Sequence, residues 1–318
     1  MKYLLSLFLI LFLLTGCSEK EKRIRIGFNT WVGYEAVVIS VKKKFFNDED
    51  VDVKQYKTLG EVKQAFQDGE IDVMFSTTNE VLLLADKGEK IKVVLVADYS
   101  NGADNIVAQK SIHSIKDLKG KTIGVEIGSI SHFLLLKALQ KANLTEQDVK
   151  LVNVTDQEAL VKFSDESLDA ITTWSPFTAN AVKAGGHVIF SSRDIPEQIV
   201  DVMSVREKIM DQYPDEILKI ISAYLNTLDW LVQHNQEGID IMAKAANMTT
   251  SDFGSALRGV ELARLDENMA AFGTQQMPGT LYSSTQELIK FLLDKKVITH
   301  ELNANQIIEP KFILEYLD

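Results

Sequence analysis

The sequence predicts an α/β protein of two lobes, with mostly parallel sheets and a helical C-terminal third. From Ile24 to about Val205, short β-rich runs alternate with amphipathic helical patterns. The strands are almost continuous apolar runs, which is typical of parallel sheets covered by helices on both faces. Beyond Val205 the pattern is helical. About ten candidate strands are too many for one comfortable open sheet, so we expect two lobes.

Each candidate strand is a short run of β-branched and other apolar residues between turn residues. The predicted strands are Ile24–Phe28, Val51–Tyr56, Ile71–Phe75, Ile91–Ala97, Asn105–Ala108, Thr122–Val125, Val149–Val152, Ala170–Thr173, Val188–Phe190 and Ile199–Met203. Predicted helices between them include Glu61–Gln67, Thr78–Lys87, Ser131–Ala142 and Pro176–Ala184. The helices predicted for the C-terminal third are Pro214–Gln233, Glu237–Ala246, Ser251–Leu262 and Ser284–Lys295.

The two lobes are expected to be discontinuous in sequence. Residues 24–100 and 205–318 form the first lobe, and residues 101–204 form a second lobe inserted into it. The chain then crosses between the lobes twice, near Asp98–Asn105 and near Asp201–Ser204. The helical C-terminal third returns to pack on the first lobe.

The first residues have the features of an export signal. Lys2 gives a positive start, and Leu4 to Leu14 is an almost unbroken apolar run, too short for a membrane-spanning helix of roughly 20 residues. The segment ends in Leu-Thr-Gly-Cys at Cys17, which resembles the lipobox of bacterial lipoproteins. We therefore predict a signal peptide over residues 1–16, a diacylglyceryl group on Cys17 and a charged tether over residues 17–23.

Cys17 is the only cysteine of the chain, so no disulfide can form within it. Lipidation explains how an exported protein carries an unpaired cysteine, and an anchor of two or three acyl chains holds firmly. The alternative is a buried cysteine that happens to follow an apolar stretch. The expected location is a bacterial membrane surface facing the periplasm or the cell exterior, with the inner and outer membranes both left open.

The composition is that of a globular protein and excludes one class of partner. Hydrophobic residues make up 46% of the chain and charged residues 25%, and the net charge is −11. Such a chain lacks the basic surface that offsets phosphate repulsion, so we predict no nucleic-acid partner. We expect a monomer.

Four strand–helix junctions carry an unusual number of polar and aromatic residues. In open α/β sheets, ligands bind beyond the carboxyl ends of strands, near the free N–H groups of helix N-termini. These junctions are Asn29–Glu35, Ser76–Glu80, Gly128–His132 and Thr172–Pro176. Trp31, Tyr34 and Trp174 offer flat faces for a ligand. The alternatives, a hydrophobic staple at the first junction and simple helix caps at the others, stay open.

The same segments carry a family resemblance. The chain resembles the solute-binding proteins of ABC importers, in the nitrate, sulfonate, taurine and thiamine-precursor group. The matching segments are Ile26–Tyr34, Gly120–Val125 followed by Gly128–His132, and Leu168–Phe177. The resemblance implies a periplasmic-binding-protein fold of the type II kind, with the ligand held between two lobes. It implies the ligand-binding residues Trp31, Tyr34, Ser76, Thr77, Asn101, Asp104, Ser129, Ser131, Trp174 and Asp201. We add Glu35, at the start of the first helix, as a further candidate.

Glu35 departs from the family pattern, which more often has a small neutral residue there. A carboxylate at a helix start neutralises the positive helix end and disfavours a bare anion nearby. Asp98, Asp104 and Asp201 would also lie near the hinge, and basic residues are scarce in these loops. We therefore favour a neutral, zwitterionic or cationic organic ligand over a bare anion. The alternative is that these carboxylates are solvated caps that point away from the cleft.

No catalytic or metal-binding pattern is present in the sequence. The five histidines have no metal-ligand spacing, and neither a phosphate-binding loop nor a nucleophile elbow is complete. We predict no cofactor, no metal and no enzymatic activity. The expected partner is an ABC permease. The runner-up is a membrane signalling protein that senses the bound state, and an enzyme on the same fold is a third reading.

Overall fold

The computed structural model describes residues 23–47, 49–274 and 276–316. The predicted signal peptide, Cys17 and most of the predicted tether lie outside the described residues. Within the described part of the chain, no helix is long and apolar enough to span a bilayer.

Two separate sheets account for the described strands. The first sheet has the order β11-β4-β10-β3-β1-β2, and the second has the order β7-β6-β8-β5-β9. The strands are β1 Ile24–Asn29, β2 Val51–Tyr56, β3 Val73–Thr77, β4 Ile91–Ser100, β5 Asp104–Ala108, β6 Thr122–Val125, β7 Lys150–Asn153, β8 Ala170–Trp174, β9 His187–Ser191, β10 Val200–Arg206 and β11 Val260–Leu262. The ten predicted strands are all found, with ends shifted by up to three residues.

Both sheets are mixed, whereas the sequence predicts mostly parallel sheets. Strand β1 is parallel to β2 and β3, and β6 is parallel to β7 and β8. Strand β10 is antiparallel to β3 and β4, β11 is antiparallel to β4, and β5 is antiparallel to β8 and β9. A crossover helix returns the chain to the end of the sheet where it started and so gives parallel neighbours. A strand that arrives from the other sheet enters at the opposite end, so β5 and β10 run antiparallel.

The chain passes between the two sheets at two short segments. Strand β4 ends at Ser100 in the first sheet and β5 begins at Asp104 in the second, so the first passage is residues 101–103. Strand β9 ends at Ser191 and β10 begins at Val200, so the return passage is residues 192–199. The segment Asp201–Ser204, near which the sequence placed the return, lies inside β10.

The helices cover both sheets and fill the C-terminal third. They are α1 Ala36–Lys42, α2 Leu59–Gln67, α3 Thr78–Asp86, α4 Ile130–Lys141, α5 Asp156–Ser164, α6 Phe177–Lys183, α7 Glu207–Gln212, α8 Pro214–Gln233, α9 Asn235–Ala245, α10 Thr250–Leu257, α11 Leu265–Phe272, α12 Thr280–Asp294, α13 Ala304–Ile307 and α14 Lys311–Leu314. Helix α8 begins at Pro214, where a missing N–H costs nothing. Helices α8 and α9 pack on α1, and α13 and α14 pack on β4, so the C-terminal third returns to the first sheet.

The prediction of one helix over Ser251–Leu262 is wrong at its C-terminal end. The helix stops at Leu257, and Val260–Leu262 forms β11 at the edge of the first sheet. The carbonyl of Gly259 accepts hydrogen bonds from the N–H groups of Asn101 and Ala103 at 2.8 and 3.0 Å. A Cβ at Gly259 would lie 2.8 Å from the Ala103 nitrogen. Residues 101–103 therefore pack closely on Gly259 and hold the following residues in an extended path. Helical periodicity in the sequence does not reveal this contact.

Candidate functional site

The candidate site lies between the two sheets, where β4 ends and β10 begins. Asp98 in β4 and Asp201 in β10 are directly opposite each other in the antiparallel pair. Both side chains are buried, with 0% and 3% of their surface exposed. Side chains that face each other across an antiparallel pair lie close together. The fold thus places two acids side by side in the interior.

Two aromatic residues from the loop after β1 bond to these acids. The indole Nε1 of Trp31 donates to both carboxylate oxygens of Asp98 at 3.3 Å, and the hydroxyl of Tyr34 donates to Asp201. Gly33 lies between them, and a Cβ there would fall 2.0 Å from an Asp98 oxygen. The glycine therefore allows the loop to wrap closely around the acid pair.

Burial raises the pKa of both members of the acid pair. Burial, followed by the charge of Asp201, raises the pKa of Asp98 well above its ordinary value. Burial also raises the pKa of Asp201, although hydrogen bonds from Tyr34 and Asp98 oppose that shift. Two carboxylates can hydrogen-bond to each other only if one is protonated. Burial and the neighbouring charge therefore favour the protonated form of Asp98.

A third buried acid, Asp104, begins β5 in the second sheet. Its side chain is 4% exposed, and its backbone pairs with Trp174 of β8. Burial, with smaller contributions from the charges of Asp201 and Asp156, raises the pKa of Asp104 to about 7. Asp104 therefore lies within electrostatic range of acids from both sheets.

Asp156, the first residue of α5, is a fourth acid that sequence reasoning missed. Its two carboxylate oxygens accept hydrogen bonds from Thr173 Oγ1 at 2.6 Å and Trp174 Nε1 at 2.9 Å. Burial raises the pKa of Asp156, and these two bonds oppose the shift. Asp156 lies between Thr155 and Glu158, which form a complete capping box. Such a box explains acidic residues at a helix start without any ligand, so the sequence does not single out Asp156.

The tryptophans of the two lobes touch each other. The rings of Trp31 and Trp174 lie 5.9 Å apart between centroids and 71° from parallel, an edge-to-face arrangement that aromatic rings favour. Trp31 also lies 6.4 Å from Tyr34. Since Trp31 follows a strand of the first sheet and Trp174 ends a strand of the second, this contact closes the gap between the lobes.

Helix α8 of the C-terminal third contributes a tyrosine that the sequence did not identify as a site residue. Tyr224 is fully buried, and its ring lies 5.2 Å from that of Phe75, which in turn lies 6.0 Å from Tyr34. Its hydroxyl has no hydrogen-bond partner within the described structure. Burial, followed by the charges of Asp98 and Asp201, raises the pKa of Tyr224. The unpartnered hydroxyl therefore lies within electrostatic range of the acid pair.

Three other predicted site residues, Thr77, Ser76 and Asn101, differ in their relation to the acid pair. Thr77 is opposite Asp201 in the β3–β10 pair and caps α3 through Glu80. Ser76 is buried and bonds to the carbonyl of Thr77. Asn101 is exposed in the first passage and donates to Glu261. Thr77 therefore borders the acid pair, whereas Asn101 lies at the hinge.

Glu35 does not join the acid cluster, although the sequence grouped it with the site. Its side chain is buried and accepts a hydrogen bond of 2.7 Å from Gln55 of β2. Burial raises its pKa to about 8, against the bond from Gln55 and the charge of Lys42. The helix that it starts is α1, but its carboxyl faces β2 rather than the gap.

The turn before α4 is divided between capping and packing roles. Ser129 caps α4 and bonds to the carbonyl of Glu126 at 2.8 Å, and Ser131 is 5% exposed. His132 is fully buried against Phe291 of α12. This turn therefore packs on the C-terminal third as well as bordering the gap.

An ion pair between Lys63 and Glu80 lies within electrostatic range of a further acid, Glu126. Lys63 Nζ lies 2.7 Å from a carboxylate oxygen of Glu80. Glu126 is within electrostatic range of Asp156, Glu80 and Lys63. In the part of the chain that the structure describes, no three His, Cys, Asp or Glu side chains are arranged to hold a metal ion. The site is thus acidic, aromatic and without a preformed metal cage.

The chain matches a known protein family over most of its length. The model of the NMT1-like family matches residues 18–247, which is more than half of the chain. The chain belongs to the NMT1-like family. Among curated relatives, the putative aliphatic sulfonates-binding protein of Bacillus subtilis is 22% identical over 334 residues, covering 100% of this chain and 97% of that protein.

Solved structures agree on the fold of this NMT1-like protein. The aliphatic sulphonate binding protein SsuA of Escherichia coli superimposes with a TM-score of 0.78 and 17% identity, covering 91% of this chain and 92% of that chain. The predicted two-lobed periplasmic-binding-protein fold with a helical C-terminal third is confirmed. The desulfurization enzyme DSZB also matches, with a TM-score of 0.66 and 14% identity over 93% of this chain and 99% of that chain. The fold alone therefore does not separate binders from enzymes.

Proposed function

We propose that this protein is the solute-binding component of an ABC importer and captures a small organic molecule between its lobes. The observation that carries the proposal is the site between the sheets, where Trp31 of one lobe meets Trp174 of the other beside buried acids. Concave sites with aromatic walls and a few convergent polar groups are typical of small-molecule binding. Relatives named as sulfonate- and taurine-binding proteins support the class of function.

The proposed ligand-binding residues come from three parts of the chain. Trp31, Tyr34 and Thr77 belong to the first lobe, and Trp174 and Asp104 belong to the second. The central acids Asp98 and Asp201 lie between them, with Tyr224 behind. The segments around these residues contain the remaining candidates, which are Ser76, Glu35, Asn101, Ser129 and Ser131.

The two passages between the lobes are suited to act as a hinge. The hydroxyls of Ser100 and Ser192 lie 2.8 Å apart, and Ser192 also accepts a 2.7 Å bond from the Gly102 N–H. Arg193 donates to the carbonyls of Asn101 and Arg258. Gly102 has a φ of 115°, a conformation that L side chains rarely adopt. A few residues with such links can absorb the backbone change of domain closure.

Membrane attachment through a lipid on Cys17 forms part of the same proposal. A tethered binder stays concentrated beside a permease on the outer side of a bacterial membrane, facing the periplasm or the cell exterior. Globomycin, which blocks the lipoprotein signal peptidase, should leave an uncleaved precursor, and normal maturation in its presence would contradict the lipid anchor.

The proposal assigns no catalytic activity to the site. Its acids and aromatic rings are placed without a cysteine or histidine nucleophile among them, since Cys17 is the only cysteine and His132 is buried against Phe291. Turnover of a bound compound, followed by mass spectrometry over time, would overturn this part of the proposal.

The direct test is recovery of a bound compound from the purified protein. A chain that starts at Ser18 retains every described residue. Mass spectrometry of the small molecules released on denaturation should identify a compound that rebinds, in calorimetry, with one molecule per chain. Repeated recovery of no compound, together with no thermal stabilisation by any fraction of a bacterial small-molecule extract, would contradict the proposal.

A further inference from the structure

The acids at the centre of the site have no basic partner in the described structure. None of the described lysine, arginine or histidine side chains forms an ion pair with Asp98, Asp104, Asp156 or Asp201. Lys63, which acts on the neighbouring Glu126, is already paired with Glu80. Buried carboxyl groups are costly unless they are paired or protonated, so this arrangement is open to a positive charge from outside the chain.

The hydroxyl of Tyr224 is a second, independent indication of a ligand. A buried hydroxyl normally has a hydrogen-bond partner, yet this one has none within the described structure, although it is fully buried and within electrostatic range of Asp98 and Asp201. Neighbouring donors do not supply the missing bond, because Tyr34 and Trp31 are already bonded to the acids. A ligand group that donates to the carboxylates can also bond to this phenol oxygen.

The aromatic residues favour an organic cation over a metal ion. Trp31 and Trp174 meet edge to face at the junction of the lobes, and tryptophan faces attract ammonium and guanidinium groups. The described acidic and histidine side chains do not form a metal-binding group. A bare metal ion would also leave the two indole rings without a role.

Neighbouring acids disfavour an acidic group elsewhere on the ligand. Glu80 and Asp156 both lie within electrostatic range of Glu126, and Lys63 alone among the groups acting on Glu126 is positive. A sulfonate or carboxylate on the ligand would add a like charge to this surface, and like charges in a partly desolvated site repel strongly.

We infer that the solute is an organic cation without an acidic group, whose protonated nitrogen binds Asp98, Asp201 and Asp104 beside Trp31 and Trp174. This inference rests on the proposed function and narrows its substrate class. The class differs from the sulfonates in the names of several relatives.

The test separates a bacterial small-molecule extract by charge before the binding measurement. Ion exchange at neutral pH gives a cation-retained, an anion-retained and an unretained fraction, and each is added to the chain that starts at Ser18. The melting temperature should rise with the cation-retained fraction only. A rise confined to the anion-retained or unretained fraction would overturn the inference while leaving the proposed function standing. No rise with any fraction would overturn both.

Variants then test the named residues with the compound isolated from the active fraction. Asp98→Asn should weaken its binding more than about tenfold, because a buried charged pair is lost. Tyr224→Phe should weaken it by about tenfold to a hundredfold, typical of one hydrogen bond to a charged group, while leaving the unliganded protein folded. Asp211→Asn, at an exposed acid in α7, is the matched control and should bind as the parent does. Equal binding by parent, Asp98→Asn and Tyr224→Phe would overturn the assignment of the cation to this site.

Discussion

Asp98 and Asp201 face each other across the β4–β10 pair, and each is bonded to an aromatic side chain of the loop that follows β1. Acids whose pKa is raised by burial bind a proton more tightly in the folded chain than in the unfolded chain. The pair thus connects the pH dependence of folding with the capacity of the site for a positive charge.

The first prediction concerns stability and pH in the absence of solute. A carboxyl whose pKa is raised by folding retains its proton where the unfolded chain has lost it, so stability falls as the pH rises through the folded pKa. Titration of Asp104, with a pKa of about 7, should therefore lower the free energy of unfolding by about 3 kcal/mol between pH 5 and pH 8, given about 1.4 kcal/mol per pKa unit. Asp98 acts in the same direction.

Urea unfolding at pH 5 and pH 8 checks this prediction. Asp104→Asn and Asp98→Asn should each lose less stability than the parent on going to pH 8, and Asp211→Asn should match the parent. His132, whose pKa is lowered mainly by burial, acts with the opposite sign but equally in all four proteins. Identical pH dependence in the parent and both site variants would show that the carboxyls titrate normally.

The second prediction concerns the contact between Gly33 and Asp98. An added Cβ at Gly33 would lie 2.0 Å from a carboxylate oxygen that is itself buried, so Gly33→Ala should destabilise the fold by about 1–3 kcal/mol and abolish solute binding. Gly60→Ala is the matched control, because its Cβ meets nothing closer than 3.9 Å and alanine is favoured in helix α2. Thermal unfolding of both variants gives the comparison, and a neutral Gly33→Ala would show that the loop is not packed on the acid.

The third prediction concerns the first passage between the lobes. The Gly259 carbonyl holds the N–H groups of Asn101 and Ala103, and a Cβ would lie 2.8 Å from the Ala103 nitrogen. Gly259→Ala should lower stability by about 1–3 kcal/mol and increase amide hydrogen exchange at residues 101–103. Unchanged exchange there would indicate that the passage does not depend on β11.

The fourth prediction uses tryptophan fluorescence to follow the site. The three tryptophans are Trp31, Trp174 and Trp230, and Trp230 stacks on His234 in the C-terminal third at 4.5 Å. Trp230→Phe should retain the full emission change on solute addition, because the two remaining indoles line the proposed site. Loss of the change in this variant would place the spectroscopic response, and with it the solute, away from the lobe junction.

The sequence predicts most readily those candidate residues whose place depends on their position at the end of a strand. Trp31, Tyr34 and Trp174 follow strand ends, and the rule that ligands bind beyond carboxyl ends of strands identifies such residues directly. Asp104 and Asp201 were expected near the hinge, and the structure brings them together with the aromatic residues. These residues were predictable because the element order alone brings those ends to one edge.

The missed residues depend on contacts between distant segments. Tyr224 lies on the apolar face of α8 together with Ile217, Ile220 and Ile221, so its periodicity is that of a core residue, and only the packing of α8 against Phe75 reveals its place. Glu35 was misplaced for a related reason, since the direction of a side chain at a helix start is not given by sequence position. Strand polarity in the sheets was also unpredictable, because it depends on the end from which each crossing strand arrives.

The most direct test of the account is the affinity of the co-purifying compound for variants at the Trp31–Trp174 contact. Calorimetry should show at least about tenfold weaker binding for both Trp31→Ala and Trp174→Ala, since each removes an aromatic wall of the site. Trp230→Ala, outside the site, should bind as the parent does. Parent-like affinity in both site variants, with correctly folded protein, would contradict the central claim that the solute binds between the lobes.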